Sequence, residues 1–426
     1  LKEDAMGGTA TEGGPDDEGP DVSIVMPCLN EALSLEACIG SAQDALAQMS
    51  ELLGLSGEII VADNGSTDGS QALALRLGAR VAPVSERGYG AAIRGGLQAA
   101  RGRFLVMGDA DGSYDFREST AMVEKLMAGA DLCMGSRFTG AVKPGAMPWK
   151  NRYIGNPVLT GILNLLFRAG VSDAHCGLRA LTRGCFDRLG LSGAGMEFAS
   201  EMVIKAALKG EVIAEVPATL WPDLRDRPPH LRPWRDGWRH LRYLFMLSPF
   251  WLFAVPALTV GAAGAAILGA ATWFAIARPG APAFFGDNWV VLAAAMIGVS
   301  HNAGVLAFAT HLLGVSNGYR HPRGWSLRLS RFVTLETMIL IGLCLGLAGF
   351  AILTGVAFSW WARNFGRAPM VLPAVIGALL MTLGVQNILG GFLLSIVSGH
   401  QARFLEVEAR AKASLNAADA RRVSAR

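Results

Sequence analysis

Four long apolar runs in the second half of the chain, roughly residues 248–277, 289–315, 332–361 and 370–397, limit its fold more than any other feature. About 20 predominantly apolar residues cross the hydrocarbon core of a bilayer as a helix, and each run exceeds that. From Met246 to His400 the charged side chains are Arg278, Asp287, Arg320, Arg323, Arg328, Arg331, Glu336, Arg363 and Arg367, and all but Glu336 lie between the runs. A very apolar water-soluble bundle would still show polar faces at the helical period, and these runs show almost none. The sequence therefore predicts four transmembrane helices. The composition, 51% hydrophobic against 17% charged, excludes a disordered or purely soluble protein, and its apolar excess resides in this half.

The basic residues flanking the runs set an orientation. Arg225, Arg227, Arg232, Arg235, Arg239 and Arg242 precede the first run, and Arg320, Arg323, Arg328 and Arg331 occupy the second connection. The first connection holds Arg278, and the third holds Arg363 and Arg367. By the positive-inside rule the N-terminal half, the second connection and the Arg-rich tail are cytoplasmic, so a multi-pass protein of the inner (plasma) membrane is expected. Six cysteines without a CxxC pair or metal-ligand spacing fit a reducing compartment. The expected organisation starts with a leader over 1–20, rich in Gly, Asp, Glu and Thr and read as disordered. A catalytic domain over 21–224, a basic amphipathic juxtamembrane segment over 225–247, the membrane domain over 248–398 and a basic cytoplasmic tail over 399–426 follow.

Over the first half, short apolar runs near 22–26, 58–62, 79–84, 104–108 and 132–135 alternate with helical patterns near 35–53, 70–77, 89–100 and 117–127. That alternation predicts an α/β domain with a mainly parallel sheet and helices on both faces. Ligands of such sheets bind beyond the carboxyl ends of the strands. Pro27, Asn30 and Glu31 follow the first strand, Asp63, Ser66 and Asp68 the second, and Asp109 and Asp111 the fourth. Each cluster alone is explained by turn and capping chemistry, and a lone GxG such as Gly88-Tyr89-Gly90 is weak evidence. Three clusters at one sheet edge point instead to binding of a nucleotide diphosphate. Asp109 and Asp111, separated by the small Ala110, can both face the cleft and hold a hard divalent cation, Mg2+ or Mn2+, together with phosphate oxygens. Gly88 and Gly90 open a helix whose N-terminal N–H groups favour phosphate. Asp63 can accept hydrogen bonds from a base or ribose.

These stretches resemble glycosyltransferase family 2, in the inverting GT-A fold, and within it the polyprenyl-phosphate branch of dolichol-phosphate mannose or glucose synthases. The likeness is carried by residues 24–31, 61–70, 87–96, 107–114, 135–138 and 176–180, and covers about 22–247. It implies a nucleotide-sugar site of Pro27, Leu29, Asn30, Glu31, Asp63, Ser66, Asp68, Gly88, Tyr89, Gly90, Arg94, Asp109 and Ala110, with metal on Asp109 and Asp111. It further implies that Arg137 and Arg179 line the donor and acceptor phosphate region. With Asp111 and Glu201, which falls at a family position facing the acceptor, they make up the expected catalytic set. Many relatives carry Lys between the two glycines; this chain has Tyr89, leaving Arg87 or Arg94 to supply the positive charge.

A sugar-hydroxyl acceptor needs a general base, whereas a phosphate monoester, with its second pKa near 6, is largely dianionic at pH 7. Arg179, Arg225, Arg227, His230 and Arg232 are the candidates to hold an acceptor phosphate. Trp234, Trp238, Leu241, Leu244 and Phe245 recur at helical spacing with arginines on other faces, the pattern of an interfacial helix with its apolar side in lipid. Transfer of one sugar, UDP-glucose favoured and GDP-mannose next, to undecaprenyl or dolichyl phosphate is the leading expectation. A processive polysaccharide synthase, which usually carries QxxRW, and a lipid-linked sugar transporter or scaffold with a regulatory nucleotide-sugar domain are the alternatives; no QxxRW is present. Membrane lipids are partners, a homo-oligomer is left open, and nothing points to nucleic acid. His301 and His311 within the runs are assigned to interhelical hydrogen bonding.

Overall fold

The computed structural model describes residues 19–224, 233–278, 285–316, 332–366 and 371–399. Most of the leader, the tail beyond Gly399, and the acceptor candidates Arg225, Arg227, His230 and Arg232 lie outside the described residues. Contacts divide the chain into two units that meet between Leu244 and Phe245.

The first unit is built on a seven-stranded sheet. Its strands are β1 (Val22–Cys28), β2 (Gly57–Asp63), β3 (Arg80–Pro83), β4 (Phe104–Met107), β5 (Leu132–Val142), β6 (Arg179–Thr182) and β7 (Ile213–Leu220), in spatial order β3-β2-β1-β4-β6-β5-β7. Every pairing is parallel except those of β6, which runs against both β4 and β5. Val22, Ile24, Val25 and Met26 of β1 are fully buried, as a strand covered on both faces requires. Helix α1 (Ala32–Leu53) buries Leu35, Ile39, Ala42, Ala45 and Met49, a stripe at helical spacing, and stops at Gly54, whose φ of 68° is the left-handed cap that glycine adopts without strain. Helices α2 (Ser70–Arg76), α3 (Tyr89–Ala99), α4 (Ser119–Met127), α5 (Asn156–Phe167), α6 (Arg183–Leu189) and α7 (Phe198–Lys209) complete the layers, and α8 (Pro233–Met246) follows. Alternation locates the first five strands; β6 escapes it because four residues, Arg-Ala-Leu-Thr, carry too little pattern, and only pairing on both sides makes them a strand.

Helix α8 departs from the sequence expectation. Its His240 Nδ1 lies 2.8 Å from Ser200 Oγ of α7, so this face packs on the α/β unit. Leu244, assigned to the lipid side, is 1% exposed, while Trp238 is 63% exposed. An amphipathic pattern fixes that one face is apolar and leaves open what covers it.

The second unit contains four helices long and apolar enough to cross a membrane, spanning Phe250–Ala277, Asp287–Ser316, Leu335–Trp361 and Val371–Val397. The first begins with a π-helical turn, Phe250–Ala254, that continues as α9 (Val255–Ala277); α10 (Asp287–Ser316), α11 (Leu335–Trp361) and α12 (Val371–Val397) follow. Between α11 and α12 glycines allow backbone contact: a Cβ on Gly349 would sit 2.6 Å from the Gly377 carbonyl oxygen, and one on Gly342 would sit 2.7 Å from that of Gly384. Several polar side chains here bond across helices. Asn387 Nδ2 donates to the Met338 carbonyl at 2.7 Å, His301 Nε2 lies 3.4 Å from Asn387 Oδ1, and Ser300 donates to the Ala257 carbonyl.

The glycine contacts yield a paired test. Gly349→Leu drives a side chain into the Gly377 backbone and is expected to cost about 1–3 kcal/mol, read as a lower unfolding midpoint in detergent. Gly355→Leu, which meets nothing within 4 Å, is expected to leave that midpoint unchanged.

Candidate active site

The chain loops at the carboxyl ends of β1, β2 and β4 are stitched into one ledge. Asn30, at a φ of 60°, receives a hydrogen bond on Oδ1 from the Thr67 N–H at 2.8 Å and donates its own N–H to Ser66 Oγ at 2.9 Å. The Glu31 N–H donates to Ser70 Oγ at 3.1 Å. Asp68 accepts from the Ala32 N–H on one oxygen, at 2.9 Å, and from the Ser70 N–H and hydroxyl on the other, so it caps α1 and α2 together. Asp63, 2% exposed, accepts from Gly65 N–H at 2.9 Å, Ser66 N–H at 3.2 Å and Gln71 Nε2 at 2.7 Å. The ledge therefore holds Asn30, Glu31, Asp63, Ser66 and Asp68 together, with much of their bonding spent on one another.

The β4 end carries the two carboxylates. Asp109 Oδ1 accepts from the Tyr89 hydroxyl at 2.9 Å, and a Cβ on Gly177 would lie 2.5 Å from Asp109 Oδ2, so the backbone at 177 presses against the second oxygen. Asp111 Oδ1 accepts from the Ser113 N–H at 3.0 Å and hydroxyl at 2.5 Å. Between them the Ala110 carbonyl accepts from Ser34 Oγ at 2.7 Å, which fixes the turn that sets the two aspartates side by side in sequence. Burial and the neighbouring Asp109 push the Tyr89 phenol well above its usual range, so it remains a neutral donor. Two oriented carboxylates offering oxygen only fit a hard divalent cation that completes its shell with phosphate and water. Among the described residues no group of three His, Cys, Asp or Glu side chains could hold a metal without such help.

The glycines of the GxG segment lie against protein backbone. A side chain on Gly88 would collide with the Ala194 carbonyl, and one on Gly90 would collide with the Gly193 carbonyl and lie 2.6 Å from Phe198 Cβ. The Ala91 N–H donates to the Ala194 carbonyl at 3.1 Å, so a loop at 193–195 occupies a place at the α3 N-terminus that a phosphate was expected to take. Asn64 supports the approach: its Oδ1 accepts from the Gly88 N–H at 2.9 Å, and its Nδ2 donates to the carbonyls of Val84 and Glu86. Arg94 pairs with Glu86 and donates to the Ser192 carbonyl at 2.8 Å, so it anchors this loop.

Three of the expected catalytic residues are buried and bonded within the protein. Arg179 is 0% exposed and gives Nε to the Cys176 carbonyl at 2.9 Å, one terminal nitrogen to Ala199 at 2.6 Å and the other to Ala174 at 2.9 Å. The guanidinium is sealed from solvent in this way, and burial lowers its pKa. Glu201, also 0% exposed, accepts from the Ser192 N–H at 3.0 Å and the Gly193 N–H at 2.7 Å and pairs with Lys205 Nζ at 2.7 Å. Burial acts to raise its carboxyl, but Lys205 and the Gly193 N–H hold it below the usual range. Arg137 clasps Asp173 with Nε at 2.6 Å and a terminal nitrogen at 2.8 Å, a bidentate buried pair. Burial alone would raise the Asp173 carboxyl, and the guanidinium keeps it low. Asp173 was invisible to spacing, since 36 residues separate the partners. His175 sits edge-on to His240, 5.2 Å between centroids, and burial followed by that neighbour lowers its pKa to about 3, which suits a neutral structural imidazole.

Comparison with known proteins agrees with this geometry. Residues 23–190 match the model of glycosyl transferase family 2, and residues 308–398 match the glycosyltransferase family 2 C-terminal transmembrane region. A low-salt glycan biosynthesis hexosyltransferase, Agl6, of Haloferax volcanii is 34% identical over 383 residues, covering 89% of each chain. A dolichyl-phosphate hexose transferase of the same organism is 30% identical over 46% of this chain and 81% of its own, and the polyprenol monophosphomannose synthase of Mycolicibacterium smegmatis is 30% identical over 46% and 76%. With its carboxylate pair at the end of β4 in a mostly parallel GT-A sheet, and with the family's transmembrane region following in sequence, this chain belongs to glycosyltransferase family 2.

Proposed function

We propose that the protein transfers one sugar, with inversion, from a nucleotide diphosphate sugar to a polyprenyl phosphate at the cytoplasmic face of the inner membrane. UDP-glucose is the favoured donor and GDP-mannose the next, with undecaprenyl or dolichyl phosphate as acceptor. The observation that carries the reading is the union in one chain of the oriented Asp109–Asp111 pair with four helices long enough to span a bilayer. A water-borne donor suits the first and a lipid-borne acceptor the second. The names of the Haloferax and Mycolicibacterium relatives, which refer to dolichyl phosphate and polyprenol, support the same acceptor class.

In this mechanism Asp109 and Asp111 would hold Mg2+ or Mn2+, which supplies positive charge against the departing diphosphate. Tyr89 and Ser113 orient the two carboxylates through the hydrogen bonds already described. The ledge of Leu29, Asn30, Glu31 and Asp63 receives the nucleoside. The acceptor phosphate attacks as a dianion, so no side chain has to remove a proton. Glu201, buried and paired with Lys205, then serves as the strut of the 192–193 loop rather than as a base. Arg225, Arg227, His230 and Arg232, just before α8, remain the candidates to attract the acceptor phosphate to the membrane surface.

Four outcomes test the assignment. Asp111→Asn removes charge at an 8% exposed group and is expected to cut sugar transfer about a hundredfold or more, by loss of several kcal/mol of charge stabilisation, with the unfolding midpoint retained; full activity would refute the metal role. Transfer should fall below about pH 6 as the acceptor gains its second proton, and Glu201→Gln should leave that acidic limb in place, whereas loss of the limb would make Glu201 a base. Asp173→Asn strands the buried Arg137 and is expected to cost about 3–5 kcal/mol in unfolding free energy. Because the Asp173 and Glu201 carboxyls are depressed in the folded state, their stabilisation is complete above about pH 4–5 and is lost as pH falls through the folded values; an acid unfolding titration should therefore show a shallower decline in Asp173→Asn.

A further inference from the structure

Each face of a membrane-spanning helix meets either another helix or lipid, and a polar side chain in the middle of the span needs a partner that acyl chains do not supply. Helix α10 spends two of its faces on its neighbours. Toward α9, Ser300 donates to the Ala257 carbonyl, and a Cβ on Gly264 would lie 2.9 Å from the Ala293 carbonyl oxygen. Toward α12, His301 meets Asn387, and a Cβ on Gly390 would lie 3.1 Å from a Val305 methyl. The third face is uncovered. Val291, Ala295, Val299, Asn302, Leu306 and Leu313 recur at steps of three, four or seven residues and therefore form one stripe, and all six are exposed.

Asn302 interrupts a stripe that is otherwise apolar. It stands fifteen residues from Asp287 and fourteen from Ser316, so roughly 20 Å of helix separates it from either end. In a hydrocarbon core about 30 Å thick, so short a side chain reaches neither water nor headgroups. Among the described residues nothing bonds to its amide. Lipid tails cover the apolar positions of the stripe and leave this group unanswered. A carboxamide carries both donors and an acceptor, so it is complementary to another copy of itself. Copies of one chain insert with one orientation. Two α10 helices related by a two-fold axis along the bilayer normal therefore run parallel and set equal residues at equal depth. Asn302 then faces Asn302, and in coiled-coil seams a lone Asn fixes register and partner number in the same way.

We propose that the uncovered face of α10 is the seam of a parallel homodimer, with the two Asn302 amides exchanging hydrogen bonds at its two-fold axis. Val299 and Leu306, one turn to either side, pack against their equivalents in the second copy, and the small Ala295 lets the helices approach. The contact holds whichever sugar or nucleotide the active site takes, so its failure and that of the transfer reaction are separate results.

The test uses the full chain in a Cys344→Ala background, which removes the exposed thiol; the remaining cysteines, all buried, are left in place. Val299→Cys and Leu306→Cys are reconstituted separately, across a range of protein-to-lipid ratios, in vesicles of phosphatidylglycerol and phosphatidylethanolamine and oxidised with a membrane-permeant catalyst. Leu389→Cys on α12, 63% exposed and two residues beyond the Asn387 that meets His301, reports random collision at that depth. The expected result is covalent dimer at 299 and 306 formed several-fold faster than at 389. Asn302→Leu, which keeps the stripe apolar, is expected to raise the protein-to-lipid ratio needed for half-maximal cross-linking about tenfold, as loss of one or two interhelical hydrogen bonds implies. Asn302→Ala repeats the measurement should leucine disturb the packing. Equal rates at 299, 306 and 389 overturn the proposal. So does a half-maximal ratio unchanged in both Asn302 variants, which would leave the amide without a part in any contact.

Discussion

The catalytic unit depends on one buried cation. Arg179 has no exposed surface and gives its donors to carbonyls of Ala174, Cys176 and Ala199. A guanidinium removed from water is costly unless its N–H groups are all answered, so the three segments that answer it are held in fixed relation. The 174–177 segment brings Gly177 against Asp109, and α7 begins at the Ala199 end of the clasp. From successive residues of α7, Phe198 packs on Gly90, Ser200 meets His240, and Glu201 grips Ser192 and Gly193. A single desolvated charge thereby ties the carboxylate pair, the loop over the GxG segment and the juxtamembrane helix to one another.

Charge in this unit is spent mainly on its own architecture. Arg137, Arg94 and Glu201 all have protein partners, and the Tyr89 phenol between the two glycines donates to Asp109. Tyr89 and Ser113 each give a neutral donor to one of the two carboxylates at the end of β4. The membrane unit uses the complementary economy, close glycine contact and a few shared hydrogen bonds in place of charge.

Legibility in the sequence follows the range of the interaction. Parallel strands buried on both faces read as Val/Ile runs, so β1 and β2 were plain, and Asp109-Ala110-Asp111 announced itself by spacing. The pairing of Arg137 with Asp173 spans 36 residues and leaves no local trace. That Gly88 and Gly90 lie against the backbone at 193–195, over a hundred residues away in sequence, likewise left no local trace. What covers the apolar stripe of α8 was unreadable for a related reason, because periodicity reveals a face and cannot say whether protein, water or lipid lies against it.

The sequence by itself determined the two-part plan, the mostly parallel α/β order, the family, and the identity of the carboxylates at the β4 end, because each of these rests on local pattern or on a short motif. Tertiary structure decided which ionisable residues face the cleft and which are sealed beneath it. Arg179 and Glu201 carry the same chemistry in either place; what separates a ligand from a strut is access to solvent, and burial is a property of the whole packed chain that no single segment encodes.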